Sequence, residues 1–304
     1  MEKIKSLYTP KDDKLMDCIA FASTSGTNVE ALHKAAEEYR IRAVFCDKKC
    51  GAMERAEKQL KLPVIYESGV KFCGTWSRAA EQGEQALEEY IRRCEDYETI
   101  VAQKLNDYAK DNDFNIDMVF LAGYMRIVRA PLLEAFPDKM INIHPADLSV
   151  IDDQGKRLYD GDNAVVKAII AGEPATYSSA HLVTPDLDEG EMIVRSKPLE
   201  VETKGATLQS TVDLTLFEIN SGCNIDNILF MFKNMYPSSY NELIDFADQH
   251  QSKQKEYCDW PAFTLAAKMI SEGRIAISEK RNESKLRDVY VDGKKMGYGG
   301  YCID

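Results

Sequence analysis

The segment MINIHPADL, residues 140–148, carries an apolar run into an asparagine, a histidine and a proline. Asn142 and His144 are alternate residues, so on an extended strand their side chains leave the same face and can act on one bound atom. An amide N–H can donate to a developing oxyanion, and an imidazole titrating near pH ~6.5 can give or take a proton at neutral pH. Pro145 has no amide hydrogen and ends the strand ladder there. A histidine at a strand end can equally be a hydrogen-bonded structural residue; the pairing with Asn142 tilts the reading towards chemistry. The other histidines are His33, His181 and His250.

Two further loops carry reactive or ligand-binding residue types. In TPDLDEG, residues 184–190, Asp186, Asp188 and Glu189 crowd a turn between two strands. Such a cluster is by default a solvated acidic loop. Folded back over the sheet, it would let one carboxylate hydrogen-bond His144 and raise its pKa, because a charged partner favours imidazolium. No second acidic or histidine cluster converges with it in sequence, so no metal site is expected. In STSGTN, residues 23–28, Gly26 permits a tight turn, and the amides of Gly26, Thr27 and Asn28 would open a helix where an anion such as phosphate is favoured. An ordinary helix cap supplied by Thr27 or Asn28 remains the alternative.

These loops need a frame. Strand patterns at 14–23, 41–46, 62–66, 117–124 and 139–144 alternate with helical patterns after residue 26, near 51–60, across 79–112 and at 126–137, where Pro131 starts or kinks the helix. Alternation of this kind predicts an α/β fold: a Rossmann-like, mostly parallel sheet with helices on both faces and ligand loops at strand ends. Further on come a helix closed by Gly172, strands at 176–184 and 191–201, irregular helix across 206–252, a helix at 259–273 and two closing strands in RIAIS and DVYVDGKKM. No linker or repeat interrupts the pattern. One elaborated domain over residues 1–304 is expected, with insertions near 67–95 and 206–257.

The totals exclude several classes. At 304 residues and 44% hydrophobic content there is ample material for a core. A formal charge of −12 argues against a nucleic-acid partner, since phosphate backbones reward basic surfaces, but leaves room for a small anionic substrate. The eight cysteines contain no CxxC pair, so neither a zinc site nor a disulfide framework is suggested. No apolar stretch reaches the roughly 18 to 20 residues of a membrane span, and the N-terminus has no signal-peptide centre, so a cytoplasmic protein without a membrane partner is expected. Oligomeric state is not legible.

Taken together, SGTN, AVFCDKKCGAMERA, DMVFLAGYMRIV, MINIHPADL, SSAHLVTPDLDEG and, near the end, LAAKMISEGRIAIS with VDGKKMGYGGY resemble the folate-dependent formyltransferases. Within them the resemblance is strongest to the phosphoribosylglycinamide formyltransferase type of purine biosynthesis. The matching stretches keep the family's order and span nearly the whole chain. The resemblance implies formyl transfer from 10-formyltetrahydrofolate, as co-substrate, to the glycyl amine of a ribonucleotide. It implies Asn142, His144 and Asp188 as the catalytic trio, with a protonated His144 held by Asp188. It also implies that Gly26, Thr27 and Asn28 bind the ribose phosphate. Met125, Arg126, Ile127 and Val128, with Thr184, Pro185, Asp186 and Leu187, would line the folate site. No metal is implied.

The chain departs from the family pattern in three places. After the histidine it reads PADLSV and continues in a longer loop to Gly161, where the family has Pro-Ser-x-Leu-Pro and a short Pro-Gly turn. The family's folate-binding arginine before the LAG strand has no secure counterpart among Arg92 and Arg93. Helical sequence near 206–257 separates the last matches. Formyltetrahydrofolate hydrolase shares the trio, and an amino-sugar nucleotide formyltransferase or a non-catalytic folate-binding module is a further alternative. A methionyl-tRNA formyltransferase is disfavoured by the acidic charge.

Overall fold

The computed structural model describes residues 3–12, 14–203, 206–220, 224–282 and 285–304. Eight strands build the central sheet: β1 (Met16–Ala22), β2 (Tyr39–Cys46), β3 (Val64–Tyr66), β4 (Met118–Leu121), β5 (Met140–His144), β6 (Ser179–Leu182), β7 (Met192–Arg195) and β8 (Tyr301–Cys302). Their spatial order is β8-β7-β6-β5-β4-β1-β2-β3. Pairing is parallel from β5 through β3 and between β7 and β8, whereas β6 runs antiparallel to both β5 and β7. This is the mostly parallel α/β, Rossmann-like sheet that the alternating pattern predicts.

Continuous apolar strands form because both faces are covered. All seven residues of β1, MDCIAFA, are buried. On one face, helix α1 (Thr27–Lys34) contributes Val29 and Leu32, and α3 (Trp260–Ser271) contributes Phe263, Ala266 and Met269. On the other, α2 (Glu84–Asp111) buries Cys94, Tyr97, Val101, Leu105 and Ala109, the three-to-four spacing of an amphipathic helix. Each large apolar side chain taken fully out of water contributes about 1.5–3 kcal/mol.

Several boundaries differ from the sequence reading. The helix expected across 79–112 starts at Glu84, because Gly83 at φ 98° separates it from Trp76–Gln82. Of 126–137 only Ala130–Ala135 is helical, with Pro131 in its first turn, which leaves 125–129 as loop. The strand expected at 191–201 is broken by Pro198 into β7 and Leu199–Glu200, the latter paired with Ala175–Thr176. A strand precedes the first one expected: Ile4–Ser6 pairs antiparallel with Ile275–Arg281. Its three residues are all exposed and held by main-chain bonds, so no apolar periodicity announces it. The two closing strands do pair, as Ile275–Arg281 with Arg287–Val291.

Residues 206–254 contain the helices Ala206–Asn220, Ile225–Met235 and Pro237–Gln254. Leu208, Val212, Ile225, Leu229, Leu243 and Ala247 pack against Val165 and Ile169 of the Ala164–Ile170 helix. Every residue of that helix is buried, and these three helices supply much of the cover. Among the described residues, no helix is long and apolar enough to cross a membrane.

Candidate active site

β5 sits between β4 and β6, and its register sets Asn142 opposite His181 and His144 opposite Ser179. Asn142, His144 and His181 therefore project from one face of the sheet. The chain then turns at residues 183–190 and folds back over that face. Two backbone features allow this. Asp188 adopts φ 52°, in the left-handed region. Gly190 passes so close to the end of β6 that a Cβ there would lie 1.7 Å from the Leu182 carbonyl oxygen, so only glycine fits.

The turn delivers the Asp188 carboxylate to both histidines. Oδ2 lies 3.3 Å from His144 Nδ1, and Oδ1 lies 3.5 Å from His181 Nε2. Asn142 Nδ2 donates to Asp188 Oδ1 at 3.4 Å and approaches His181 Nε2 at 3.2 Å. His181 Nδ1 donates to the Leu182 carbonyl at 2.8 Å, which fixes the ring. His144 Nε2 donates to the Tyr159 carbonyl at 2.6 Å, and Gly161 N donates to Asp188 Oδ2 at 2.9 Å. The three residues singled out in the sequence thus meet in one cluster.

Charge in the cluster follows from burial and these contacts. Burial by itself pushes the Asp188 carboxyl up, but the hydrogen bond from His181, the two imidazoles and the Gly161 amide together hold it well below the usual carboxylate range. His144 is surrounded by acceptors, a pattern that suits imidazolium. Complete burial nevertheless outweighs Asp188 and the Tyr159 carbonyl and moves it below its ordinary 6.5. The expected contact with Asp188 is present, but the expected rise in pKa is reversed, because desolvating a cation costs more here than one carboxylate at 3.3 Å returns.

Gly26 precedes α1 at φ 77°, and a Cβ on it would sit 2.8 Å from Ala52 Cα. No side chain caps this helix start. Asn28 Oδ1 instead accepts from Trp260 Nε1 at 3.0 Å, and Thr27 Oγ1 lies 3.5 Å from Ser25 Oγ. The ordinary-cap alternative is therefore not what this loop adopts, and the helix opens with main-chain amides and its positive dipole end.

The loop after β4 is tied to the same edge of the sheet. Ser23 Oγ donates to Asp47 Oδ1 at 2.6 Å and accepts from Met125 N at 3.1 Å. Met125 and Ile127 are exposed, as is Leu187 in the Asp188 loop, whereas Val128 is buried. Exposed apolar side chains on these two loops suit a flat aromatic ligand. Thr184 is half-buried, and Pro185 and Asp186 are exposed. Arg126 is turned inward: its Nη2 donates to Cys94 Sγ at 3.3 Å and its guanidinium lies 5.2 Å from the Tyr97 ring centre.

Sequence reasoning missed three contributors: His181, Tyr159 and Gly161. His181 had a signal, since it alternates with Ala180 and Leu182 on a strand as His144 does on β5. Tyr159 and Gly161 act through main-chain atoms, which residue type does not reveal.

A model of the formyl transferase family matches residues 16–213. The human trifunctional purine biosynthetic protein adenosine-3 is 34% identical over 108 residues, which are 35% of this chain and 10% of that protein, so this chain spans only a small part of its length. A Bacillus subtilis phosphoribosylglycinamide formyltransferase is 29% identical over 192 residues, covering 60% of this chain and 78% of the relative. Among solved structures, a Coxiella burnetii phosphoribosylglycinamide formyltransferase superposes with a TM-score of 0.57 at 19% identity, covering 96% of this chain and all of that one, a likeness of fold. With the family match running from β1 into the Ala206–Asn220 helix, over more than half of its length, the chain belongs to the formyl transferase family.

Proposed function

We propose that the protein transfers the formyl group of 10-formyltetrahydrofolate to the amine of phosphoribosylglycinamide, a step of purine biosynthesis. The observation that carries this reading is the meeting of Asn142, His144 and Asp188 on one face of β5. The relatives named for the same reaction support it. So do the uncapped helix start at Gly26, Thr27 and Asn28, suited to the acceptor's phosphate, and the exposed apolar positions 125, 127 and 187, suited to the pterin.

In this reading the buried His144 begins as the neutral base. It takes the proton that the acceptor amine releases on attacking the formyl carbon, and the imidazolium so formed is stabilised by Asp188 before giving the proton to the leaving folate nitrogen. When substrate replaces the Tyr159 carbonyl, the single proton of the neutral ring moves to Nδ1, which faces Asp188 and donates to its Oδ2, and the freed Nε2 becomes the proton acceptor. Asn142 Nδ2 faces the oxygen that becomes negative; its contact with Asp188, a long hydrogen bond at 3.4 Å, is the one to yield.

The test is a substrate panel followed by folate absorbance. Turnover with 10-formyltetrahydrofolate only when phosphoribosylglycinamide is present is the expected result. Turnover without any acceptor would replace this reading by a hydrolase, turnover only with an amino-sugar nucleotide would change the acceptor, and folate binding without turnover would make the protein a binding module.

A further inference from the structure

Arg157 lies in the loop after Pro145 where the chain departs from the family pattern, and it is the bulkiest fully buried side chain among the described residues. Its guanidinium spans two main-chain carbonyls of the carboxylate turn. Nη1 donates to the Asp188 carbonyl and Nη2 donates to the Gly190 carbonyl at 2.9 Å. Nε donates to Tyr298 Oη at 3.2 Å, the Tyr298 ring centre lies 5.5 Å away, and Glu189 Oε2 is 3.8 Å from Nε. A buried cation is costly unless it is hydrogen-bonded and paired. Here most of its hydrogen bonds fall on the turn that holds Asp188 in the left-handed region, a conformation that needs outside support. The rest of the segment reaches the same place, since the Tyr159 carbonyl meets His144 Nε2 and Gly161 N meets Asp188 Oδ2.

We infer that Arg157 is a positioning residue for the transfer reaction: its planar fork fixes the Asp188 turn so that the carboxylate faces His144 and Asn142. The inference rests on the proposed formyl transfer and deepens it. The fork matters because two parallel N–H groups can meet two carbonyls at once, which a lysine ammonium does not reproduce. Arg157 touches neither Asn142 nor His144 and acts through the turn. The longer loop thereby carries the support for a carboxylate that comes from a different part of the chain.

Arg157→Lys and Arg157→Met are compared with the unaltered protein in the transfer assay, with circular dichroism to establish folding. Both variants should lose about 100-fold in kcat, the size expected for a misplaced catalytic group, with KM values within about twofold. In an Asp188→Asn background the same substitutions should cost little more, because the group they position no longer acts. On the ligand-free protein, the His144 imidazole titration followed by NMR should shift in both Arg157 variants. Folded variants with unchanged kcat, an undiminished loss in the Asp188→Asn background, or an unmoved His144 titration would each overturn the assignment. Arg157→Lys keeps a cation in the cavity and decides the matter where Arg157→Met does not fold. An unaltered protein that transfers no formyl group would remove the functional reading alone, and the His144 titration would still judge Arg157.

Discussion

His144 Nδ1 lies 3.3 Å from Asp188 Oδ2, and both side chains are almost wholly buried, so the imidazole gains a carboxylate partner and loses water at the same time. Loss of water is the larger effect, and it leaves His144 below its ordinary 6.5. At neutral pH the ring is thus mainly a base. The rate should therefore fall on the acid side with a midpoint below about 6.5, as the imidazole becomes charged and can no longer accept a proton. His144→Ala should lower kcat by about 100- to 10,000-fold and abolish that acid limb, while the far-ultraviolet dichroism stays unchanged. A pH–rate profile of both proteins checks this, and an unaltered rate in the variant would exclude His144 from the chemistry.

Glu98 offers a separate pH effect, on stability. It lies on the buried face of α2, and both of its carboxylate oxygens accept from Arg129 N, at 3.1 and 2.8 Å. Burial outweighs that amide and the nearby arginines and raises the group from 4.5 to about 7. Because the folded value is above the unfolded one, the contribution is fully present below 4.5 and is lost as pH rises through about 7. Over that window the loss is on the order of 3 kcal/mol. Glu98→Gln should flatten the dependence, which urea unfolding at about pH 5 and about pH 8 measures through the midpoint. Equal pH slopes in the two proteins would contradict it.

Gly26 is expected to be intolerant of any side chain. At φ 77° an alanine is strained, and its Cβ would stand 2.8 Å from the Ala52 main chain. Gly26→Ala should cost about 1–3 kcal/mol of stability and turn the amides at the start of α1 away from the acceptor's phosphate. The expected signature is a lower melting temperature with a raised KM for phosphoribosylglycinamide and an unchanged KM for the folate. A rise confined to the folate KM would show that the loop serves the other substrate.

The architecture was largely legible because buried parallel strands must be mostly apolar and amphipathic helices must alternate with them; β4 follows that rule throughout, and β1 and the AVFC half of β2 follow it closely. Ile4–Ser6 escaped because an exposed three-residue strand has no such pattern. In the candidate site, Asn142 and His144 were legible because alternation on a strand fixes a common face. The motif resemblance supplied Asp188. Tyr159 and Gly161 could not be read at all, since their contributions come from a carbonyl and an amide that every position in a chain possesses.

The linear order of residues determined that a strand ends in Asn-x-His-Pro, that a glycine turn opens a helix at 26, and that an acidic turn joins β6 to β7. The folded chain alone decided that Asp188 reaches His144, that His181 stands beside Asn142, and that burial overrules the carboxylate in setting the charge of His144. The physical reason is that face and period are local properties of a strand. Desolvation and the reach of a turn across a sheet exist only when distant segments have packed together.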